Sequence, residues 1–182
     1  MTSVTTLPFG RPLTRADLED LPDDGHRYEL IDGSLIVSPS PRHRHQTVVG
    51  NLHLLLRAAC PAELQVIVAP FPVALADDTE LQPDLLVAPR SQFTDKELPG
   101  APLLAVEVLS PSTRRVDLLL KRDRLQAAGV PSYWLVDPDA LTVTVLELSD
   151  GSYADVAVVA GDDHSEVARP FPLVIAPARL LD

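Results

Sequence analysis

Apolar residues along this chain come in short blocks punctuated by proline, glycine and aspartate. The densest block, Leu103-Leu104-Ala105-Val106-Glu107-Val108-Leu109, has the pattern of a strand buried on both faces. Gln82-Pro83-Asp84-Leu85-Leu86-Val87-Ala88 predicts a second short buried strand, opened by an aspartate. Further strands are expected near 132–137, 141–148 and 152–159. A run over 114–128 has helical spacing, and Gly129 is placed to end it. An earlier helix is expected over 43–59, where Val48, Val49, Leu52, Leu55, Leu56 and Ala59 form one stripe before Pro61. His45 stands at the amino-terminal end of that stripe.

The N-terminal third adds a hairpin. Arg27 to Ile31 and Ser34 to Val37 flank Asp32-Gly33, a strong signal for a two-residue turn. In that register Glu29 shares a face with Ile31 and Ile36, while Tyr28 shares the other with Leu30, Leu35 and Val37. Before it, Thr14 can cap a short helix over 15–21, and residues 1–12 read as a flexible arm. Residues 64–75 read as a strand bent or held at an edge by Pro70 and Pro72. Residues 89–101 read as an exposed polar loop, and the apolar tail over 173–181 is expected to dock on the core. The order predicts an α/β or α+β domain over 13–182, with helices packed on one sheet.

Composition narrows the function classes. A chain of 182 residues with 46% hydrophobic content is long enough for one well-buried core. No segment has the ~20 uninterrupted apolar residues of a membrane helix. The start lacks the charged end and apolar run of a secretory signal, so the expected compartment is the cytoplasm. One cysteine, Cys60, excludes an internal disulfide and a multi-cysteine zinc site. The net charge of -11 argues against tight, unaided binding to nucleic acid, though a local basic stripe is compatible with it. Phosphate-loop, dinucleotide, GxSxG and HExxH motifs are absent.

Glu107 is the residue that demands chemistry. An ionised carboxylate in a buried strand must neutralise, pair or bind a metal. If its strand neighbours that of Asp84, both carboxylates point to one spot, and a divalent cation relieves their repulsion. The plainer alternative is a solvated Asp84 and a Glu107 paired with an arginine. Lys121 lies on the stripe with Leu118, Leu125 and Ala128, facing the sheet that carries Glu107. An i,i+4 pair with Asp117 is its ordinary alternative. Glu29 is a candidate further ligand, or a solvated hairpin residue. His45 and Gln82 are candidate substrate contacts. Arg44, with Arg42, forms a compact basic cluster that could meet phosphate or cap a solvated helix end.

Together these residues resemble the PD-(D/E)XK nuclease superfamily, and more closely its Uma family of bacterial endonucleases. The likeness covers most of the chain: Tyr28-Glu29-Leu30-Ile31-Asp32-Gly33, Ser38-Pro39, His45-Gln46, Pro83-Asp84, Glu107-Val108-Leu109-Ser110-Pro111-Ser112-Thr113, Asp117, Lys121, and Gly129 through Pro138. It implies a restriction-endonuclease-like core, a mixed central sheet flanked by helices. It implies magnesium, with manganese able to substitute, held by Asp84 and Glu107. Superfamily members carry a lysine two residues after the glutamate; here that residue is Leu109, and Lys121 on the following helix is the matching lysine. A tyrosine four residues after the lysine is replaced by Leu125. Glu29 matches the acidic residue that the superfamily draws from its N-terminal region.

The resemblance implies a magnesium-dependent endodeoxyribonuclease with Asp84, Glu107, Lys121 and Glu29 as its catalytic set. DNA is the implied partner, with a homodimer or a protein partner supplying the affinity an acidic chain lacks. Two alternatives stand beside it. One is a catalytically silent binding or assembly module that keeps the fold, whose sign would be a Lys121 facing solvent and paired only with Asp117. The other is hydrolysis of a different phosphate ester.

Overall fold

The computed structural model describes residues 7, 8 and 10–182. Three antiparallel or mixed sheets organise these residues. The six-stranded sheet has the order β11-β10-β9-β8-β6-β3, formed by β3 (Leu64–Val68), β6 (Leu85–Pro89), β8 (Leu104–Val108), β9 (Ser132–Asp137), β10 (Thr142–Ser149) and β11 (Ser152–Ala160). The five-stranded sheet has the order β2-β1-β5-β4-β7, formed by β1 (Arg27–Ile31), β2 (Ser34–Ser38), β4 (Val73–Ala76), β5 (Thr79–Leu81) and β7 (Leu98–Pro99). A small antiparallel pair, β12 (Ser165–Val167) and β13 (Leu173–Ile175), carries the tail.

Alternation along β8 explains the layering. Leu104, Val106 and Val108 point into an apolar cluster with Leu85, Val87, Trp134 and Val136. Helix α2 (His43–Ala59) closes that cluster with Val48, Val49, Leu52 and Leu56, the stripe its spacing predicts. Ala105 and Leu109 point the opposite way, into a second cluster with Ile31, Leu81, Leu125 and Tyr133. That second face is covered by the helix after β8 and by the hairpin sheet. β8 and β9 run parallel, so the chain must cross over between them, and the helical segment over 114–127 makes that crossing.

The hairpin forms in the expected register, with Glu29 opposite Ile36 and Tyr28 opposite Val37. Asp32 and Gly33 both have positive φ, 51° and 71°, as a two-residue turn of the I′ kind requires. A Cβ on Gly33 would stand 2.4 Å from Pro12 Cβ, so the turn also needs glycine for close approach. The tail docks as expected: Leu180 is buried, and Asn51 Nδ2 donates to the Leu180 carbonyl at 3.2 Å.

Several boundaries differ from expectation. The first helix, α1 (Arg15–Leu18), is one turn long. There the Thr14 amide and hydroxyl both donate to Asp17 Oδ2, and Asp17 is also held by Arg11. The expected arm over residues 1–12 lies mostly outside the described residues. Residues 64–75 are not one bent strand; β3 and β4 belong to different sheets, because the intervening Ala69-Pro70-Phe71-Pro72 cannot sustain a ladder. β5 was not expected, and residues 89–101 are not wholly exposed: they hold a 3₁₀ turn (Arg90–Gln92) and β7, where Leu98 is buried. The helix over 114–127 is π-helical at Val116–Lys121 before α3 (Arg122–Ala127) resumes regular spacing. No helix among the described residues is long and apolar enough to cross a membrane.

Candidate active site

The charged residues converge where β1, β6, β8 and the π-helical turn meet. β6 and β8 pair antiparallel with Leu85 opposite Val106, so one further step of the same register brings Asp84 opposite Glu107. The strands are neighbours, the condition the sequence argument set, and the Val108 amide next to Glu107 donates to Asp84 Oδ2 at 2.8 Å. Glu29 arrives from β1 on the face it shares with Ile31. The π-helical turn brings Asp117 and Lys121 inward together, and its wider winding leaves Leu119 and Leu120 exposed. The Tyr133 hydroxyl donates to the Asp117 carbonyl at 3.0 Å, tying this turn to β9.

Glu29, Asp84, Glu107, Asp117 and Lys121 are all buried, at 3% exposure or less. Lys121 Nζ lies 2.8 Å from Glu29 Oε1, 2.9 Å from Glu107 Oε1 and 3.5 Å from Asp117 Oδ1. It therefore does not face solvent, and its i,i+4 pair with Asp117 is the longest of its three contacts. Arg27, two residues before Glu29 on the same strand face, completes the group. Its NH1 lies 2.8 Å from Asp84 Oδ1, and its Nε lies 3.5 Å from Glu29 Oε2. His45 Nε2 lies 3.0 Å from Asp84 Oδ2, the oxygen that also accepts the Val108 amide at 2.8 Å.

Charge balance dominates the chemistry of the cluster. Four carboxylates face two permanent cations, Arg27 and Lys121. Burial pushes Asp84 up, but the His45 hydrogen bond, Arg27 and the Val108 amide outweigh it and hold Asp84 below the usual carboxylate range. Burial pushes Glu107 well above that range against the pull of Lys121, and it pushes Asp117 up as well. Lys121 stays charged: burial lowers its pKa, but Glu107, Glu29 and Asp117 more than reverse this.

The group has the donor chemistry of a magnesium site without being assembled as one. Glu29 Oε2 and Asp117 Oδ1 are buried carboxylate oxygens without hydrogen-bond partners among the described residues. Hard oxygen donors of this kind match a divalent cation. Yet among the described residues no three acidic, histidine or cysteine side chains are grouped to hold a metal as they stand. The cations Arg27 and Lys121 already lie against these carboxylates.

A cleft of about 1180 Å³ opens beside the cluster. Arg27, His45, Gln82 and Asp84 line it, with Arg42, Arg44 and the Ser110-Pro111-Ser112-Thr113 turn around its rim. Glu29, Glu107, Asp117 and Lys121 are not among its lining residues; they lie behind Arg27 and Asp84. Gln82 supports Glu29 through its backbone, whose N–H donates to Glu29 Oε1 at 2.7 Å, while its side chain donates to the Tyr28 carbonyl. Arg44 donates to the Pro138 carbonyl at 2.7 Å and sits apart from the carboxylates, with half of its side chain exposed. Sequence reasoning missed Arg27, although its i,i+2 spacing to Glu29 on a strand was a usable signal. It also left Asp117 as an ordinary surface partner, because regular helical spacing hides the inward turn.

Comparison with known proteins places the chain in a family. The family Uma2, described as "Putative restriction endonuclease", matches residues 15–179. A crystal structure from Anabaena variabilis, of "a putative nuclease belonging to DUF820", superposes with a TM-score of 0.74 at 21% identity. The overlap covers 93% of this chain and 98% of that one, so the two chains share a fold. No curated protein matches the chain. A match that runs from the first helix to the tail makes this chain a member of the Uma2 family.

Proposed function

We propose that this protein is a divalent-metal-dependent endonuclease that hydrolyses phosphodiester bonds in DNA. The observation that carries the reading is Asp84, whose Oδ2 accepts the Val108 amide next to Glu107, with Lys121 Nζ held 2.9 Å from Glu107 and an arginine-lined cleft alongside. Asp84 and Glu107 would hold magnesium or manganese, with Glu29 as the nearest further carboxylate. Such an ion, when bound, supplies charge neutralisation at a phosphate and a lower pKa for a water. Asp84 lies at the cleft wall and is kept anionic by its own partners. Lys121 acts from behind, fixing the carboxylates of Glu107 and Glu29; this makes it a positioning residue. Arg42 and Arg44 give the cleft rim the charge needed to meet a DNA backbone. Residues 13–182 would form the catalytic domain, acting in the cytoplasm. With a net charge of -11, affinity for DNA would come from a homodimeric groove or a protein partner.

The solvent-facing Lys121 expected of a binding or assembly module is not found, but the cations Arg27 and Lys121 already set against the carboxylates keep that reading as the alternative. Cleavage of plasmid and single-stranded DNA with magnesium or manganese separates the two. Wild type is compared with Glu107→Gln and Lys121→Ala, each checked for folding by circular dichroism. The nuclease reading expects cleavage by wild type and a loss of at least ~10²-fold in both variants. Intact activity in Glu107→Gln would remove the assignment. Absence of both cleavage and metal binding in wild type would favour the module.

A further inference from the structure

We infer that Arg27 is the resident counter-cation of the metal site, and that its guanidinium must leave Asp84 for the cleft before a divalent cation can bind. The inference rests on the reading of Asp84 and Glu107 as the metal-binding pair. Both oxygens of Asp84 are already engaged: Oδ2 by His45 and the Val108 amide, Oδ1 by Arg27 NH1 at 2.8 Å. The Val108 amide is backbone of β8, so Oδ2 keeps that donor while the strand persists. Oδ1 is held by a side chain alone, and it is the oxygen that can be released.

Arg27 is placed to make that exchange. It is the first residue of β1, and it lines the cleft with its side chain 19% exposed. The guanidinium is only partly satisfied where it lies. Its Nε has no hydrogen-bond partner among the described residues, and Glu29 Oε2, 3.5 Å away, is likewise without one. A buried charge pair that leaves a donor and an acceptor unmade is weakly held compared with one whose groups are all bonded. Lys121 offers the contrast: it is buried and does not line the cleft, and its ammonium meets three carboxylates. A divalent cation and a guanidinium cannot share Asp84 Oδ1 without strong like-charge repulsion in this dry setting. Once displaced into the cleft, the planar guanidinium is suited to a phosphate oxygen pair. Arg27 would thus keep the carboxylates balanced at rest and meet a substrate phosphate when the metal takes its place.

The test measures metal binding without DNA, so that it stands apart from cleavage. Manganese is titrated into wild type, Arg27→Gln and Asp84→Asn by calorimetry, with folding checked. Removal of the resident cation is expected to tighten manganese binding by Arg27→Gln about ten-fold or more, since one unit of charge competition is worth at least that at a buried site. Asp84→Asn should abolish it. In wild type, the Arg27 Nε–H resonance in a ¹⁵N spectrum should shift and sharpen as manganese-equivalent diamagnetic magnesium is added. This second readout holds if Arg27→Gln fails to fold. Equal or weaker binding by Arg27→Gln, or an Arg27 resonance that ignores magnesium, would overturn the inference. Either result would leave cleavage by wild type, and so the nuclease reading, standing.

Discussion

The two faces of the six-stranded sheet are equally dry, but one of them sets a cluster of buried charges beside its apolar residues. On the α2 face, Leu104, Val106 and Val108 of β8 meet Leu52, Leu56 and Trp134, all apolar and at 1% exposure or less. On the other face, Glu107 of the same strand meets Lys121, Glu29 and Asp117, all at 1% exposure or less. Burying apolar area stabilises in proportion to the area removed from water, about 25 cal/mol per Å². Burying charge costs several kcal/mol per ion, and mutual attraction returns that only when geometry and hydrogen bonding are complete. Here Glu29 Oε2 and Asp117 Oδ1 have ion-pair contacts at 3.5 Å but no hydrogen-bond partner among the described residues, so completion fails. One face is held by apolar packing, while the other adds to its own apolar cluster a charge arrangement that stability alone does not require.

The largest effect should come from removing the cation at the centre of the charged face. Lys121→Met leaves Glu29, Glu107 and Asp117 buried without it, and should destabilise by about 3–5 kcal/mol. Leu52→Ala, a cavity on the apolar face, should cost about 2–5 kcal/mol. Similar single costs would hide the difference between the faces, so the decisive variant combines Lys121→Met with Glu107→Gln. Removing a second charge should recover part of the loss, with a coupling of about 1–3 kcal/mol in urea unfolding. Strict additivity of the two changes would mean that Lys121 and Glu107 do not act as a pair, and the contrast between the faces would fall.

A smaller effect should follow from the turn that delivers Arg27 and Glu29. Gly33 has φ 71°, and a Cβ there would stand 2.4 Å from Pro12 Cβ. Gly33→Ala should destabilise by about 1–3 kcal/mol through strain and this close approach. The damage should be confined to the hairpin side. Native-state hydrogen exchange should speed up in β1 and β2 while amides of α2 and β8 stay protected. Equal loss of protection in α2 would show that the two faces unfold as one unit, and that their difference has no consequence for local stability.

The sequence made the apolar face legible because that face follows simple periodicity. The α2 stripe falls over His43–Ala59, and the alternation of β8 is visible in Leu104, Val106 and Val108. The Asp32-Gly33 turn fixed the side of the hairpin on which Glu29 lies. On the charged face the strands and their carboxylates were legible, and so was the inward stripe of Lys121. Asp117 was not, because six residues of π-helix re-aim it, and no simple repeat in Val116–Lys121 announces the wider turn. Arg27 was hidden for another reason: a charged residue opening a strand beside a polar loop looks solvated until its partner Asp84, immediately before a strand in the other sheet, is placed. β5 and β7 were lost because strands of three and two residues carry too few positions for alternation to register.

The smallest expected effect lies at the rim, where the same crossover helix makes an ion pair that water can reach. Arg114 NH1 donates to Asp137 Oδ2 at 2.5 Å, with Arg114 half exposed. Asp137 Oδ1 also accepts the amides of Asp139 and Ala140, each at 3.0 Å. Burial pushes Asp137 up, but Arg114 and these amides outweigh it and hold its pKa below the ordinary value. A depressed folded pKa means that the unfolded chain binds the proton more readily. The carboxylate therefore stabilises the fold above its unfolded pKa of about 3.9, and this contribution fades as pH falls through the folded value. Asp137→Asn should cost about 1 kcal/mol or less at neutral pH, since solvent screens the exposed guanidinium. The difference from wild type should shrink below about pH 4, and added salt should reduce it because the pair is at the surface. The loss in Lys121→Met should resist salt, because no mobile ion reaches a lysine that is 1% exposed. Equal salt sensitivity in both variants, measured by urea unfolding at low and high ionic strength, would mean that the charged face is open to water and that its cost has been overstated.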